Sequence, residues 1–401
     1  MTGYIFPNEI ELQWGLLIVL YPYLTGLVAG AFILASLERV FNVREVQPTY
    51  RLALLTALAF LLVAPLPLLG HLGHPERAFE IFLTPNVKSA MAMFGFVYAW
   101  YLMVVLLLEI WFDYRHDLVR WVAREKGLMR FVHKVMTLGA SDVSPRALRF
   151  DNSAGRIITI VGIPSAFLLH GYVGFIFGSV KANPWWSSVL IPVVFLFSAI
   201  VSGIAAVLLI YVTSCKIRKV PIDEACLGKL GSFLFYALTV DFSLEMLDFI
   251  HRLYEAEESI KILSALVTSR LFISLVVLQV LLGTLVPLVV LALTSPAFEK
   301  RAIVKVPARW RVKVFVVAAM LVEVGIFCTR WNVVIGGQLF SKSLRGLTVY
   351  KLQMYGLEGF WVALGLLLLP IAILLVLIRI LPPWTDTASS AAPDRGAVVT
   401  H

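Results

Sequence analysis

Apolar positions in this chain come in long unbroken runs, not in the one-sided stripes of helices that face water. Nine runs reach the roughly 18 to 25 residues needed to cross about 30 Å of hydrocarbon. They are Leu12–Leu37, Leu52–Leu69, Ala90–Trp111, Ile157–Val180, Val189–Val212, Leu230–Ile250, Leu271–Leu293, Val314–Ile335 and Phe360–Leu381. The pattern predicts an all-α polytopic membrane protein with nine transmembrane helices. The second run carries Pro65 and Pro67 near its end and is expected to be kinked or partly re-entrant there. Between the third and fourth spans, DLVRWVAREKGLMRFVHKVM sets Trp121, Leu128, Phe131 and Val135 among basic residues at helical spacing. That spacing predicts a helix lying on the membrane surface within the connection 112–156. Residues 1–381 form the membrane domain on this reading. The stretch 382–401 is small and polar and is expected to lack fixed structure.

Composition strengthens the assignment. Hydrophobic residues make up 60% of the 401, charged residues only 15%, and mean hydropathy is +0.87. A soluble chain carries about a quarter charged residues. Lys and Arg are distributed asymmetrically: one alternating set of connections holds 24 of the 34 and the other holds 10. Because basic loops stay on the cytoplasmic side, the expectation is a multi-pass protein of the cytoplasmic (inner) membrane, N-terminus outside and C-terminus inside. The net charge of +9 is then a topology signal with some attraction to anionic lipid, and it does not point to nucleic acid. No Lys or Arg precedes the first run, so a cleaved secretory leader is not expected.

Three separated cysteines, Cys215, Cys226 and Cys328, form no C-x-x-C, which argues against an intrinsic iron–sulfur cluster or structural zinc. Of seven histidines only His170 is well inside a span, and a dihaem protein needs paired axial ligands, so intrinsic haem is not expected either. Ionisable residues inside spans are costly and are functional candidates by default. In the sixth span Asp241, Glu245, Asp248 and Arg252 fall at i, i+4, i+7 and i+11, one helical face. Three acids there repel if all are ionised, so some of them are candidates to hold and pass protons, the alternative being packing hydrogen bonds and a salt bridge to Arg252. Glu323 lies about 18 Å below Ile335 in the eighth span, with Arg330 two turns above it, and either relays protons or pairs with another helix. Glu109 at the inner end of the third span is a candidate proton entry. His170, beside Gly171 and Tyr172, is a candidate hydrogen-bond partner for a quinone carbonyl. Two outer segments add polar groups: His71, His74, Arg77, Asn86, Lys88 and Ser89 after the second span, and Asn332, Gly336, Gly337 and Gln338 around the outer end of the eighth. A secondary transporter or proton channel without redox chemistry is the alternative these buried acids leave open.

Several segments resemble the NrfD/PsrC family of integral membrane subunits of polysulfide reductases and related respiratory complexes. They are YPYLTGLVAGAF in the first span, LGHPERAFEIFLTPNVKSAMAMFG, HGYVGFIFGSV followed by NPWWSSVLIPVVFLFSAIVSGIA, and the late RWNVVIGGQ. Their order along one chain carries the resemblance, which covers the whole sequence. It implies two four-helix bundles, here with one extra span, and no haem. It also implies a site for a quinone, menaquinone or ubiquinone, near the outer face. A ferredoxin-like iron–sulfur subunit would dock there and lead to a molybdopterin or other catalytic subunit. Phe94 and Gly95 follow Met93 where some relatives carry a tryptophan or an acid, so no proton role is carried over to that position. On these grounds the expected quinone site comprises His74, Arg77, Ser89, His170, Tyr172, Asn332 and Gln338. The expected proton path comprises Glu109, Asp241, Glu245, Asp248, Glu323 and Arg330.

Overall fold

The computed structural model describes residues 12–255, 259–294 and 307–384. Most of the stretch 382–401, expected to lack fixed structure, lies outside the described residues. Eight helices among the described residues are long and apolar enough to cross a membrane. They are α1 (Leu16–Arg39), α2 (Arg44–His71), α3 (Met93–Arg124), α4 (Pro145–Gly178), α5 (Ile191–Arg218), α7 (Phe272–Thr294), α8 (Trp310–Gln338) and α9 (Phe360–Ile380). The sixth expected span lies within a further helix, α6 (Glu224–Glu255), whose 32 residues reach about 48 Å.

Proline breaks α2 as expected: its regular part, Tyr50–Val63, stops before Pro65 and a separate turn runs Leu66–His71. The connection 112–156 is shorter than the apolar runs suggest. Helix α3 continues to Arg124, and α4 already begins at Pro145. Ser144 caps α4 by accepting a hydrogen bond from the Ala147 N–H at 3.3 Å, with Pro145 at the first helical position. Hydropathy misses these extensions because they are charged, yet the charges meet partners across the helices. Arg115 pairs with Asp151, and Arg51 pairs with Asp113 and Asp117.

The helices pack as two four-membered groups. In the first, α1 lies against α2 and α4, and α3 against α2 and α4; in the second, α5 lies against α6 and α8, and α7 against α6 and α8. The second group repeats the neighbour pattern of the first, and α9 is added against α2. The third helix of each group contains π-helical turns, Tyr101–Leu106 in α3 and Phe272–Leu285 in α7. Helix α1 joins the groups, packing on α5 and α8, and 94% of its most apolar stretch is buried, against 17% for the peripheral α9. Its crossing with α5 is backbone on backbone. A Cβ on Gly30 would sit 1.9 Å from the Ala199 carbonyl oxygen, and one on Gly203 would sit 2.1 Å from the Gly30 carbonyl carbon. In hydrocarbon, close approach of small residues replaces the hydrophobic effect as the cohesive force between helices. Outward-facing Ile157, Leu247, Ile273 and Leu375 remain exposed, as lipid contact requires.

Loop contacts sort the chain ends onto two faces. On the first face Gln338 bonds the Trp14 backbone, His71 meets Glu358 at 3.0 Å, and Asn183 donates to the Gly337 carbonyl. On the second face Arg39 meets Asp113, Tyr114 donates to the Leu381 carbonyl, and Arg218 stacks over Trp384.

Candidate functional site

Toward the first face α1, α4, α5 and α8 converge on a fully buried arginine, Arg330. Its Nη2 donates to Ser198 Oγ at 2.6 Å and reaches His170 Nε2 at 3.1 Å, and the guanidinium lies 4.1 Å over the Phe195 ring. An arginine N–H can only donate, so His170 Nε2 accepts and Nδ1 carries the ring proton, facing Thr25 Oγ1 at 3.2 Å. Gly26 on α1 leaves room for the imidazole, since a Cβ there would stand 3.2 Å from His170 Cε1. The Nε and Nη1 of Arg330 are buried with no hydrogen-bond partner. The guanidinium is thus held at one nitrogen and keeps donors on the other two without a protein acceptor.

Arg330 interacts electrostatically with Asp241 and Glu245 of α6. Asp241 is buried with one carboxylate oxygen unpartnered. Glu245 receives both bonds from the Gln279 amide at 3.2 Å; Gln279 in turn accepts from Asn332 at 2.7 Å, and Asn332 accepts from Ser274 at 2.6 Å. This chain ties α6, α7 and α8 together. Asp248, at the end of the acidic stripe, pairs with Arg252 at 2.6 Å and accepts a hydrogen bond from Ser188. Glu323, half-buried on α8, accepts from the Tyr23 hydroxyl of α1 at 2.8 Å, the interhelical pairing expected as one of its two roles.

Three aromatic rings form a row on α1, α3 and α4, Tyr21 one turn before Thr25 and Tyr172 two residues after His170. Tyr21 meets Phe94 edge-on at 5.6 Å, and Phe94 stacks with Tyr172 at 6.1 Å. The buried Tyr21 hydroxyl has no hydrogen-bond partner.

The remaining expected residues lie elsewhere. His74 and Arg77 are exposed in the loop after α2, His74 pairs with the neighbouring Glu76, and no described contact joins either to His170. Ser89 sits in the turn before α3, its backbone N–H bonded to the Asn86 carbonyl. Gln338 uses its amide on the Trp14 backbone and the Val334 carbonyl, so it fastens the start of α1 to the end of α8. Glu109 belongs to a second centre near the opposite face. It accepts from Thr159 at 2.8 Å and Tyr50 at 3.3 Å, its other oxygen is buried and unpartnered, and Arg39 lies beyond Tyr50. Sequence reading missed Thr25, Ser198 and Gln279. Of these Gln279 alone left a signal, as the single amide within an otherwise apolar span.

A family model described as "Polysulphide reductase, NrfD" matches residues 7–342. The chain belongs to the NrfD family. A selenate reductase subunit of Mesobacillus selenatarsenatis is 32% identical over 333 residues, covering 80% of this chain and 73% of the relative. The Hdr-like menaquinol oxidoreductase integral membrane subunit of Archaeoglobus fulgidus is 24% identical, covering 88% and 78% respectively. A putative dimethyl sulfoxide reductase membrane subunit of Halobacterium salinarum is 28% identical over 55% of this chain and 48% of its own length. Together with the helices, this makes the chain a multi-pass NrfD-family membrane protein, similar to integral subunits of oxidoreductases.

Proposed function

We propose that this NrfD-family chain is the membrane-anchoring, quinone-interacting subunit of a respiratory complex in the cytoplasmic membrane, with its first face outside. On this reading it exchanges electrons between menaquinone or ubiquinone and a ferredoxin-like iron–sulfur subunit docked on that face, which leads to a molybdopterin or other catalytic subunit. One observation carries the reading: buried donors on Arg330 and Tyr21 have no protein acceptor, and Tyr21 belongs to the aromatic row with Phe94 and Tyr172. A flat ring with carbonyl oxygens fits such a place, apolar faces against aromatics and oxygens toward donors. The name of the Archaeoglobus relative, a menaquinol oxidoreductase subunit, supports the same class of ligand.

A bound quinone would supply two-electron chemistry coupled to two protons. The residues of this chain then have distinct tasks. Arg330 would donate to a carbonyl oxygen of the bound ring, a charge-assisted bond that would favour negative charge there. His170 and Ser198 hold the guanidinium at the required angle, so His170 acts through Arg330 and not by direct contact. Asp241, with its free oxygen, is placed to hand over or accept a proton, and Glu245 and Gln279 fix its surroundings. Glu323, bonded to Tyr23, is the next carboxylate along α8 toward the second face, about 10 Å below Arg330.

The test is binding of a quinone analogue to the purified complex, followed by fluorescence quenching, for wild type and Arg330→Gln. Weakened binding in the variant supports the site; unchanged affinity refutes it. Proton or solute flux through the chain alone, indifferent to quinone, would favour the transport reading.

A further inference from the structure

On the second face the chain builds a groove that the quinone reading does not use. After Arg124 the backbone reverses at Gly127, whose φ of 67° is readily reached only by glycine, and a surface helix runs Gly127–Met136 back along the end of α3. One side of that helix is fixed. His133 Nε2 donates to the Ile380 carbonyl at 2.8 Å, its Nδ1 meets Glu125 at 2.6 Å, and Trp111 donates to the Met136 carbonyl at 3.0 Å. The other side is apolar and open, with Leu128 78%, Phe131 64%, Val135 54% and Leu138 77% exposed. Between this helix and α3 runs a groove of about 600 Å³, walled by Val119, Val122, Phe131, Val135 and Leu138, with Lys134 in its lining.

Basic side chains outnumber acidic ones around the groove. Lys134 lines it, and Arg120, Arg124, Lys126 and Arg130 lie along the same two helices and the turn that joins them; none of these five side chains makes an ion pair or hydrogen bond among the described residues. The acids nearby are already engaged, Glu125 by His133 and Asp142 by Ser144. A pinned helix that keeps an apolar face open beside an excess of unpaired basic groups is complementary to a molecule with hydrocarbon and negative charge at adjacent depths.

We propose that this groove is a site for one anionic phospholipid, an acyl chain lying against Phe131, Val135 and Leu138 and the phosphate held by Arg130 and Lys134. Arg130 and Lys134 are one helical turn apart and share a face, so both reach the same headgroup. A zwitterionic lipid fills the groove equally well but cancels the attraction of the cations.

The test uses the full chain in nanodiscs containing equal phosphatidylglycerol and phosphatidylcholine, released for native mass spectrometry. Wild type retains phosphatidylglycerol in preference to phosphatidylcholine. Arg130→Gln with Lys134→Gln lowers that retention about 25-fold, at about fivefold per basic residue. Phe131→Ala keeps the charges and lowers it through lost chain contact. Lys181→Gln with Lys351→Gln, on the opposite face, leaves it unchanged. Should the double variant fail to fold, wild type is compared in low and high salt, where screening selectively weakens phosphatidylglycerol retention. Equal retention of the two lipids by wild type, indifference to the double substitution, or indifference to salt would each overturn the proposal.

Discussion

His170→Ala separates a positioning role from a direct one. The substitution removes the acceptor for Arg330 Nη2 at 3.1 Å and the partner of Thr25 at 3.2 Å, in a place with no exposed surface. A hydrogen bond to a charged group is worth about 1.5 to 3 kcal/mol and a neutral one about 1 kcal/mol. The first term alone, if it acts only while charge develops on the substrate oxygen, slows quinone-linked turnover by roughly 10- to 150-fold. The assay compares quinol-linked electron flow through the reconstituted complex with partner-only activity toward a soluble dye, and the dye activity is expected to stay at the wild-type level. His170→Gln distinguishes the roles, because its side-chain oxygen can still accept from Arg330 while the imidazole is gone. Partial recovery in the glutamine variant is expected. If glutamine and alanine are equally impaired, the imidazole itself is needed, and the argument that it works through Arg330 fails. Wild-type quinol turnover in the alanine variant would remove His170 from the site altogether.

Three further outcomes follow from the geometry. Glu323→Gln keeps the hydrogen bond with Tyr23 but cannot titrate, so in vesicles the protons moved per electron are expected to fall while the melting temperature in detergent holds; an unchanged ratio makes Glu323 a structural pair. Asp113→Asn removes the charge shared by Arg39 and Arg51, and losing charge-assisted bonds at this half-buried place costs about 1.5 to 3 kcal/mol, read as a lower melting temperature with little change in quinone-analogue affinity. Glu109→Gln is expected to leave analogue binding at the first face intact, and a change in affinity there would show that the two polar centres are coupled.

How much of this was legible in the sequence depended on the length of the signal. Nine apolar runs identified the helices because a membrane span must be apolar for about twenty residues, whatever its neighbours. Boundaries failed where that demand lapses: α3 and α4 continue into charged segments because Arg115 and Asp151 neutralise each other across the gap. For the site, the costly residues stood out one by one, since an arginine or carboxylate inside a span is conspicuous. Which of them meet was not legible, because each pairing joins different helices: Arg330 with His170 and Ser198, Glu323 with Tyr23. Thr25 and Ser198 were invisible because a hydroxyl in a span can bond its own helix backbone, as both also do here. Grouping His74 and Arg77 with His170 followed from their sharing one face. Facing the same side sets depth only, and the loop holds those residues exposed.

The two polar centres also bear on how a proton would cross. Helix α1 touches both: Tyr23 and Thr25 serve the first-face centre, and Arg39 serves the cluster around Glu109. From Tyr23 to Arg39 is sixteen residues, about 24 Å along the axis. Between them α1 offers Thr25 near the start, Ser36 bonded to its own backbone, and Glu38 near the end, while Gly30 at mid-depth is sealed against α5. A proton hop needs donor and acceptor within about 3 Å, directly or through one water. The side chains of α1 therefore make no continuous wire, and the closed Gly30–Gly203 crossing leaves no room for water at that point. Any transfer from the second face to Glu323 must then use side chains of other helices; Gln279 of α7, an amide that cannot titrate, lies in the first-face centre with Asn332 and Glu245. Uptake from the first face needs no such path. The arrangement thus favours short proton exchange at the first face over passage across the membrane, and the ratio measured for Glu323→Gln decides between them.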